Sequence, residues 1–137
     1  MSLSFIVEQC DTFINKKDYI KRAKKFKKYS DSIGMNCNQC HSFMKVMNKK
    51  LTKEENDYLF LMAKRSIAVA GIMNCPYIVM HPYSDHTLEE NIQIFNELLK
   101  VAHKYNTTIC VENMPTGFFS EPASINALLD QINDTNT

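Results

Sequence analysis

The sequence has little of what marks several classes of protein. It contains no tryptophan, three glycines and four prolines, and it is 45% hydrophobic and 23% charged. No apolar run approaches the roughly 20 residues of a membrane-spanning helix, so we expect no membrane partner. The N-terminal residues show no basic segment followed by a long apolar one, so we expect no secretory signal and a cytoplasmic protein. The composition is that of an ordinary globular domain.

The net charge of +1 is the sum of two unlike stretches. Residues 1–65 carry fourteen basic and seven acidic side chains, whereas residues 66–137 carry two basic and eight acidic ones. Most of the basic excess lies in residues 16–28, where apolar residues recur at helical spacing and leave the lysines on the opposite face. Because no arginine-rich or aromatic pattern accompanies these lysines, we interpret them as a solvated helix face and expect no nucleic-acid partner.

The five cysteines are an odd number, and reduced thiols are expected without a secretory signal. Residues 37–41 spell C-x-x-C-H, which is typical of c-type haem attachment and is also half of a zinc or redox site. Haem attachment normally requires export, and a zinc site would need a second Cys/His pair. Regular strand alternation places Cys37, Gln39 and His41 on one face and Cys40 on the other. This arrangement disfavours a metal ion shared by the two cysteines.

Short apolar segments alternate with longer amphipathic ones along the chain. Strands are predicted at residues 4–9, 35–41, 77–81 and 107–112. The helices between them carry the following end signals: Gly34 and Gly71 as C-terminal residues, Thr52 with Glu55 and Thr87 with Glu90 as capping boxes, and a last helix from Pro122 to Ile132. The order β-α-β-α-β-α-β-α predicts one α/β domain over residues 1–137, with a parallel sheet.

Three predicted strands end on residues that bind metals or move protons. These residues are His41, His81 and Glu112, which is followed by Asn113, while Glu8 lies near the end of the first strand. Carboxyl ends of parallel strands meet at one rim, so two imidazoles and a carboxylate converge there if their faces all look inward. Such a trio suits Zn²⁺, Mn²⁺ or a similar ion. A carboxylate on an apolar strand is costly to bury without a cation or hydrogen bonds, which favours a functional interpretation.

The segments QCHSF, IVMHPYS and CVENMP, in this order, resemble the strand ends of the xylose isomerase-like TIM-barrel superfamily. That superfamily includes sugar isomerases, sugar and sugar-phosphate epimerases, and endonuclease IV DNA repair enzymes. The resemblance covers essentially the whole chain. Because a complete (β/α)₈ barrel takes about 250 residues, it implies parallel (β/α) units forming about half of a TIM barrel, strands two to five of eight.

The resemblance also implies roles for individual residues. Glu112 matches a metal-binding glutamate that also acts as the catalytic base in the epimerases. His41 and His81 match histidines that bind a metal with that glutamate in endonuclease IV, or line the substrate pocket in many epimerases. Glu8 and Asn113 are assigned to substrate binding. The implied cofactor is a divalent metal (Mn, Zn, Mg or Co), with one site at most in this chain.

Two loops depart from the family pattern. Ser-Phe follows His41, and Tyr83 stands where the family has a glycine after His81-Pro82, so substrate contacts are not transferred. The strands that bear the family's remaining ligands are absent from these residues, so we do not expect activity from them alone.

Three functions therefore follow. The first is a divalent-metal-dependent sugar or sugar-phosphate isomerase or epimerase, with proton transfer next to a carbonyl. The second is an endonuclease IV-like metal-dependent phosphodiesterase. The third is a non-catalytic half barrel that assembles with itself, and we expect a homo-oligomer if the chain folds alone because an open sheet has two unpaired edges.

Overall fold

The computed structural model describes residues 2–6, 13–43 and 50–132. Its elements are β1 (Ser2–Ile6), α1 (Tyr19–Ser32), β2 (Asn36–His41), α2 (Lys53–Ile72), β3 (Tyr77–Met80), α3 (Leu88–Tyr105), β4 (Thr108–Val111), a 3₁₀ turn (Phe118–Ser120) and α4 (Pro122–Ile132). The alternating order predicted from the sequence is confirmed. Among these residues, no helix is long and apolar enough to cross a membrane.

The strands form a four-stranded parallel sheet in the order β1-β2-β3-β4. Strand alternation separates its two faces, since Ile78 and Ile109 are fully buried while Tyr77 is 51% exposed. The buried face packs against the helices, in one core that includes Ile67, Val69, Phe95, Leu98, Ala102 and Leu128. The other face, which we call the uncovered face, carries Gln39, Tyr77, Val79, Thr108 and Cys110, all exposed or half-buried.

Capping boxes begin both long helices, as predicted. The Thr52 hydroxyl accepts a hydrogen bond from the Glu55 backbone N–H (3.2 Å), and the Glu55 carboxylate accepts one from the Thr52 N–H (2.8 Å). Thr87 and Glu90 repeat this arrangement with the same distances. These bonds satisfy N–H groups that the first helical turn leaves without partners, so each helix starts at a defined residue after its strand.

Gly71 does not end α2, contrary to the sequence-based prediction. The helix continues to Ile72, and Asn74 takes the left-handed conformation with φ of 53°. Gly71 instead lies against α3, where an added Cβ would stand 2.4 Å from the backbone oxygen of Tyr105. The glycine therefore permits close approach of the two helices.

β2 contains a bulge that changes which side chains share a face. Leu3 pairs with Cys37 but Ser4 pairs with Gln39, so Asn38 is an extra residue between two paired ones. Cys37 and Cys40 are consequently both buried on the helix side. The prediction that Cys37 shares a face with His41 is wrong, because regular alternation does not hold across the bulge.

Candidate metal centre

His41, His81 and Glu112 meet at the carboxyl ends of β2, β3 and β4, and we call them the His–His–Glu site. The two histidine Nε2 atoms lie 3.3 Å apart. The Glu112 Oε2 atom lies 3.3 Å from Nε2 of His81 and 3.6 Å from Nε2 of His41. The convergence predicted from the strand ends is therefore present in the structure.

Backbone carbonyls fix the orientation of both imidazoles. His41 Nδ1 lies 2.9 Å from the Ser42 carbonyl oxygen, and His81 Nδ1 lies 3.1 Å from the Glu112 carbonyl oxygen. A carbonyl only accepts hydrogen bonds, so each Nδ1 carries a proton, and Nε2 is the ring nitrogen that faces the site. The two Nε2 atoms and a carboxylate oxygen thus face one another, an arrangement that could hold a metal ion.

The separations fit a metal ion better than a set of direct hydrogen bonds. With metal–ligand bonds of about 2.1 Å and tetrahedral angles, neighbouring ligand atoms lie about 3.4 Å apart. The three measured separations of 3.3, 3.3 and 3.6 Å bracket this value. Two histidines and one glutamate are also the protein ligands of some catalytic zinc sites. The donor set and its geometry thus fit a divalent ion.

The site is buried on one side and open on the other. The His81 side chain is 10% exposed and that of His41 is 25% exposed, whereas the Glu112 side chain is 53% exposed. The trio is therefore most open to solvent at Glu112.

Backbone hydrogen bonds hold the strand ends in register beyond the strands themselves. The Ser42 N–H donates to the Val79 carbonyl (2.8 Å), and the Glu112 N–H donates to the Met80 carbonyl (2.9 Å). These bonds extend the parallel pairing to the residues that bear or follow the site side chains, so they hold the three strand ends in fixed positions relative to one another.

Asn91, which sequence reasoning missed, organises the loop after His81. Its side chain is fully buried, accepts from the Tyr83 N–H (2.7 Å) and donates to the carbonyls of Tyr83 (3.0 Å) and Thr87 (3.0 Å). Burial raises the pKa of the Tyr83 hydroxyl, with a smaller contribution from the Asp85 charge. The available signal was a polar residue in the apolar stripe of α3, four positions before the buried Phe95.

Ser66 holds the loop after His41 by a hydrogen bond, as Asn91 holds the loop after His81. It is fully buried in α2, accepts a hydrogen bond from the Phe43 N–H (3.1 Å) and donates to the Met62 carbonyl (2.9 Å). A buried serine in a helix stripe is the corresponding sequence signal, and it too was missed.

The two further residues assigned to substrate binding have different outcomes. Glu8 lies outside the described residues. Asn113 is exposed, and its side-chain amide donates to the Met114 carbonyl (3.3 Å). Asn113 follows Glu112 in the chain, and its role in substrate binding stays a prediction.

A second group of metal-ligand side chains lies on the other side of β2, and we call it the thiol cluster. It comprises Cys37, Cys40 and Cys75, whose sulfur atoms all lie within 4.8 Å of one another. Hydrogen bonding to Cys37 and burial raise the pKa of the Cys75 thiol to about 12. Hydrogen bonding of the protonated Cys40 thiol with Cys37 and Cys75, together with burial, raises the pKa of Cys40. The prediction that Cys37 and Cys40 point apart is wrong, because the bulge at Asn38 turns both to the helix side.

Comparison with known families assigns the chain. The family model of the xylose isomerase-like TIM barrel matches residues 5–137, so the chain belongs to this family. No curated protein sequence matches it significantly.

Solved structures share the fold. A D-tagatose 3-epimerase-like protein matches with a TM-score of 0.72 and 18% identity, over 98% of this chain and 53% of its own. An IolI protein with a bound zinc atom matches with a TM-score of 0.69 and 13% identity, over 98% of this chain and 50% of its own. A D-psicose 3-epimerase in the presence of D-fructose matches with a TM-score of 0.67 and 10% identity, over 98% and 50%.

The chain spans about half the length of the structures that it matches. The predicted parallel half barrel is therefore confirmed. The uncovered face corresponds to the interior of a barrel, and the His–His–Glu site lies at its C-terminal rim, where barrel enzymes place their active sites.

Proposed function

We propose that this chain supplies the metal-binding half of a divalent-metal-dependent sugar isomerase or epimerase. The observation that carries the proposal is the orientation of two Nε2 atoms toward the Glu112 carboxylate, at separations that suit tetrahedral coordination. These separations favour Zn²⁺, with Mn²⁺ as the alternative. A reducing compartment such as the cytoplasm suits the four described cysteines, which are all free thiols.

Each residue of the site has a distinct role in this proposal. His41 and His81 hold the ion through Nε2, while their Nδ1 protons stay on backbone carbonyls. Glu112 holds the ion and, because its side chain is more than half exposed, also accepts a proton from a substrate carbon at the rim. The bound ion supplies Lewis acidity that polarises the substrate oxygens next to that carbon.

The segments that follow the strands at this rim differ in charge: residues 42–52, after β2, contain Lys45, Lys49 and Lys50, whereas those after β3 and β4 contain no lysine or arginine. Residues 81–87 and 112–121 follow β3 and β4, and they contain Asp85, Glu112 and Glu121 but no lysine or arginine. A surface that binds a nucleic-acid backbone needs cationic side chains near the phosphates. The endonuclease IV-like alternative therefore has no support from the loops after β3 and β4, and the proposed substrate class stays a sugar or sugar phosphate.

Proton transfer is the activity that tests the proposal. The protein expressed from its complete reading frame is incubated with Zn²⁺ or Mn²⁺ and ketohexoses such as D-fructose and D-tagatose in deuterated water. We expect deuterium to enter the carbon next to the carbonyl only when the metal is present, and epimeric sugar to accumulate. Glu112→Gln should lower the rate by at least about 100-fold, because it removes the base from a proton transfer.

Glu121→Gln is the matched control, since Glu121 is exposed and lies outside the trio. It should leave the exchange rate unchanged. Exchange that is independent of metal, or equal in the Glu112→Gln and Glu121→Gln variants, would contradict the proposed chemistry. Metal binding without exchange on any sugar would favour the non-catalytic half barrel instead.

A further inference from the structure

The thiol cluster stands apart from the His–His–Glu site, although it adjoins that site in sequence. Cys40 and His41 are consecutive residues of β2, so their side chains lie on opposite faces of the sheet. The sulfur atoms of Cys37 and Cys40 are 3.7 Å apart, and that of Cys75 lies within 4.8 Å of both. We propose that the cluster binds one thiophilic metal ion, Zn²⁺ in the first instance, at a site separate from the His–His–Glu site.

The sulfur positions suit such an ion. With Zn–S bonds of about 2.3 Å and tetrahedral angles, neighbouring sulfur atoms lie about 3.8 Å apart. The 3.7 Å separation of Cys37 and Cys40 meets this value, and Cys75 reaches it with a movement of about an ångström at most. Thiolate sulfur selects Zn²⁺ and Cu⁺ over hard ions such as Mg²⁺ and Mn²⁺, so the two sites of the chain differ in metal preference.

The backbone around the three cysteines brings their thiols together. The bulge at Asn38 brings Cys37 and Cys40 to one side of β2. Cys75 lies between α2 and β3, where its N–H donates to the Ala70 carbonyl (2.9 Å) and its carbonyl accepts from the Thr107 hydroxyl (2.9 Å). A preformed site of this kind loses little conformational entropy when it binds an ion.

The cluster lies just below the surface. Cys37 is 7% exposed, whereas Cys40 and Cys75 are each 1% exposed. Asn38 and Asn74 are their chain neighbours and are both exposed, so the surface lies one residue away along the chain. On binding, the three thiols release their protons to solvent and form three metal–sulfur bonds, with no change in oxidation state.

The test uses the chain with Cys10→Ser and Cys110→Ser, so that the three cluster cysteines are the only thiols present. The reduced protein is titrated with Cd²⁺, a thiophilic probe, while the ultraviolet charge-transfer absorption that only thiolate–metal bonds produce is recorded. We expect the absorption to saturate at one Cd²⁺ per chain, and Zn²⁺ to displace the probe. Adding Cys75→Ser should weaken binding at least about 10-fold, since it removes a ligand.

Two controls separate this site from the other one and from loss of folding. Glu112→Gln, added to the same background, should leave the absorption unchanged, so failure of the thiol site and failure of the His–His–Glu site are distinguishable. Circular dichroism checks that the Cys75→Ser protein is folded, and Cys37→Ser serves in its place if it is not. Absence of the charge-transfer band, a band that survives both single serine substitutions, or a Cys37–Cys40 disulfide that forms in air without metal binding would each overturn the proposal.

Discussion

Individual buried polar side chains determine how rigidly the metal ligands are held. Asn91 lies in the core and makes hydrogen bonds to the backbone of the loop after His81. We predict that Asn91→Ala lowers the free energy of unfolding by about 1–3 kcal/mol, because buried backbone groups of Tyr83 and Thr87 lose their partner. Urea denaturation followed by circular dichroism measures this loss.

Asn96→Ala is the matched control on the same helix. Asn96 is exposed, so its replacement should change the free energy of unfolding by less than about 0.5 kcal/mol. Equal destabilisation by the two substitutions would show that Asn91 does not hold the loop as described.

Residue patterns predicted the metal ligands but not the hydrogen bonds that hold these ligands in position. His41, His81 and Glu112 were predictable because each ends or directly follows a strand, and parallel strands end at one rim. The carbonyls that fix the imidazoles, and the tethers from Asn91 and Ser66, depend on how loops fold back onto helices. The helical and strand periodicity of the sequence does not predict these contacts between loops and helices.

The packing of α2 against α3 depends on one glycine, Gly71. Substituting this residue tests directly how the two helices pack. Gly71→Ala would raise stability by about 1 kcal/mol in an exposed helix, because alanine has the higher helix propensity. Here its Cβ would meet the backbone of Tyr105 at 2.4 Å. We therefore predict the opposite sign, a loss of about 1–3 kcal/mol in the free energy of unfolding, measured by urea denaturation.

Asn74→Gly tests the same helix end without a clash. Asn74 has φ of 53°, a conformation that glycine adopts readily, so this change should leave stability nearly unaltered. A Gly71→Ala protein at least as stable as the parent chain would contradict the close approach of α2 and α3.

Element order was predictable from the sequence, whereas the details of pairing were not. Capping residues such as Thr52 and Thr87 placed two helix starts correctly, because a capping box is a local interaction. The bulge at Asn38 reversed the expected face of Cys37, since its position depends on pairing with β1. The prediction that Gly71 ends α2 was wrong for a similar reason. In the fold Gly71 contacts Tyr105, which lies 34 residues away in sequence.

The uncovered face is the chief feature of the molecule as a whole. Tyr77 is 51% exposed there, beside Val79 and Thr108, on a face that barrels bury in their interior. We predict that the chain, when it folds alone, forms a dimer or larger assembly through this face. Sedimentation velocity measures the assembly, and a stable, dispersed monomer at micromolar concentration would contradict the prediction.

A pair of tyrosine substitutions locates the contact. Tyr77→Lys should weaken self-association at least about 10-fold, because burying an unpaired ammonium is costly. Tyr29→Lys is the matched control, since Tyr29 is 62% exposed on α1, away from the sheet. Equal weakening by both substitutions would exclude the uncovered face as the specific contact.

The central claim is that His41, His81 and Glu112 bind one divalent ion. It is tested most directly by Zn²⁺ titration followed through the imidazole NMR signals of the four histidines. The signals of His41 and His81 should shift together and saturate, while those of His86 and His103 stay in place. Glu112→Gln should weaken the response at least about 10-fold, and Glu121→Gln should not. Unshifted His41 and His81 signals, or an unchanged response in Glu112→Gln, would contradict the account.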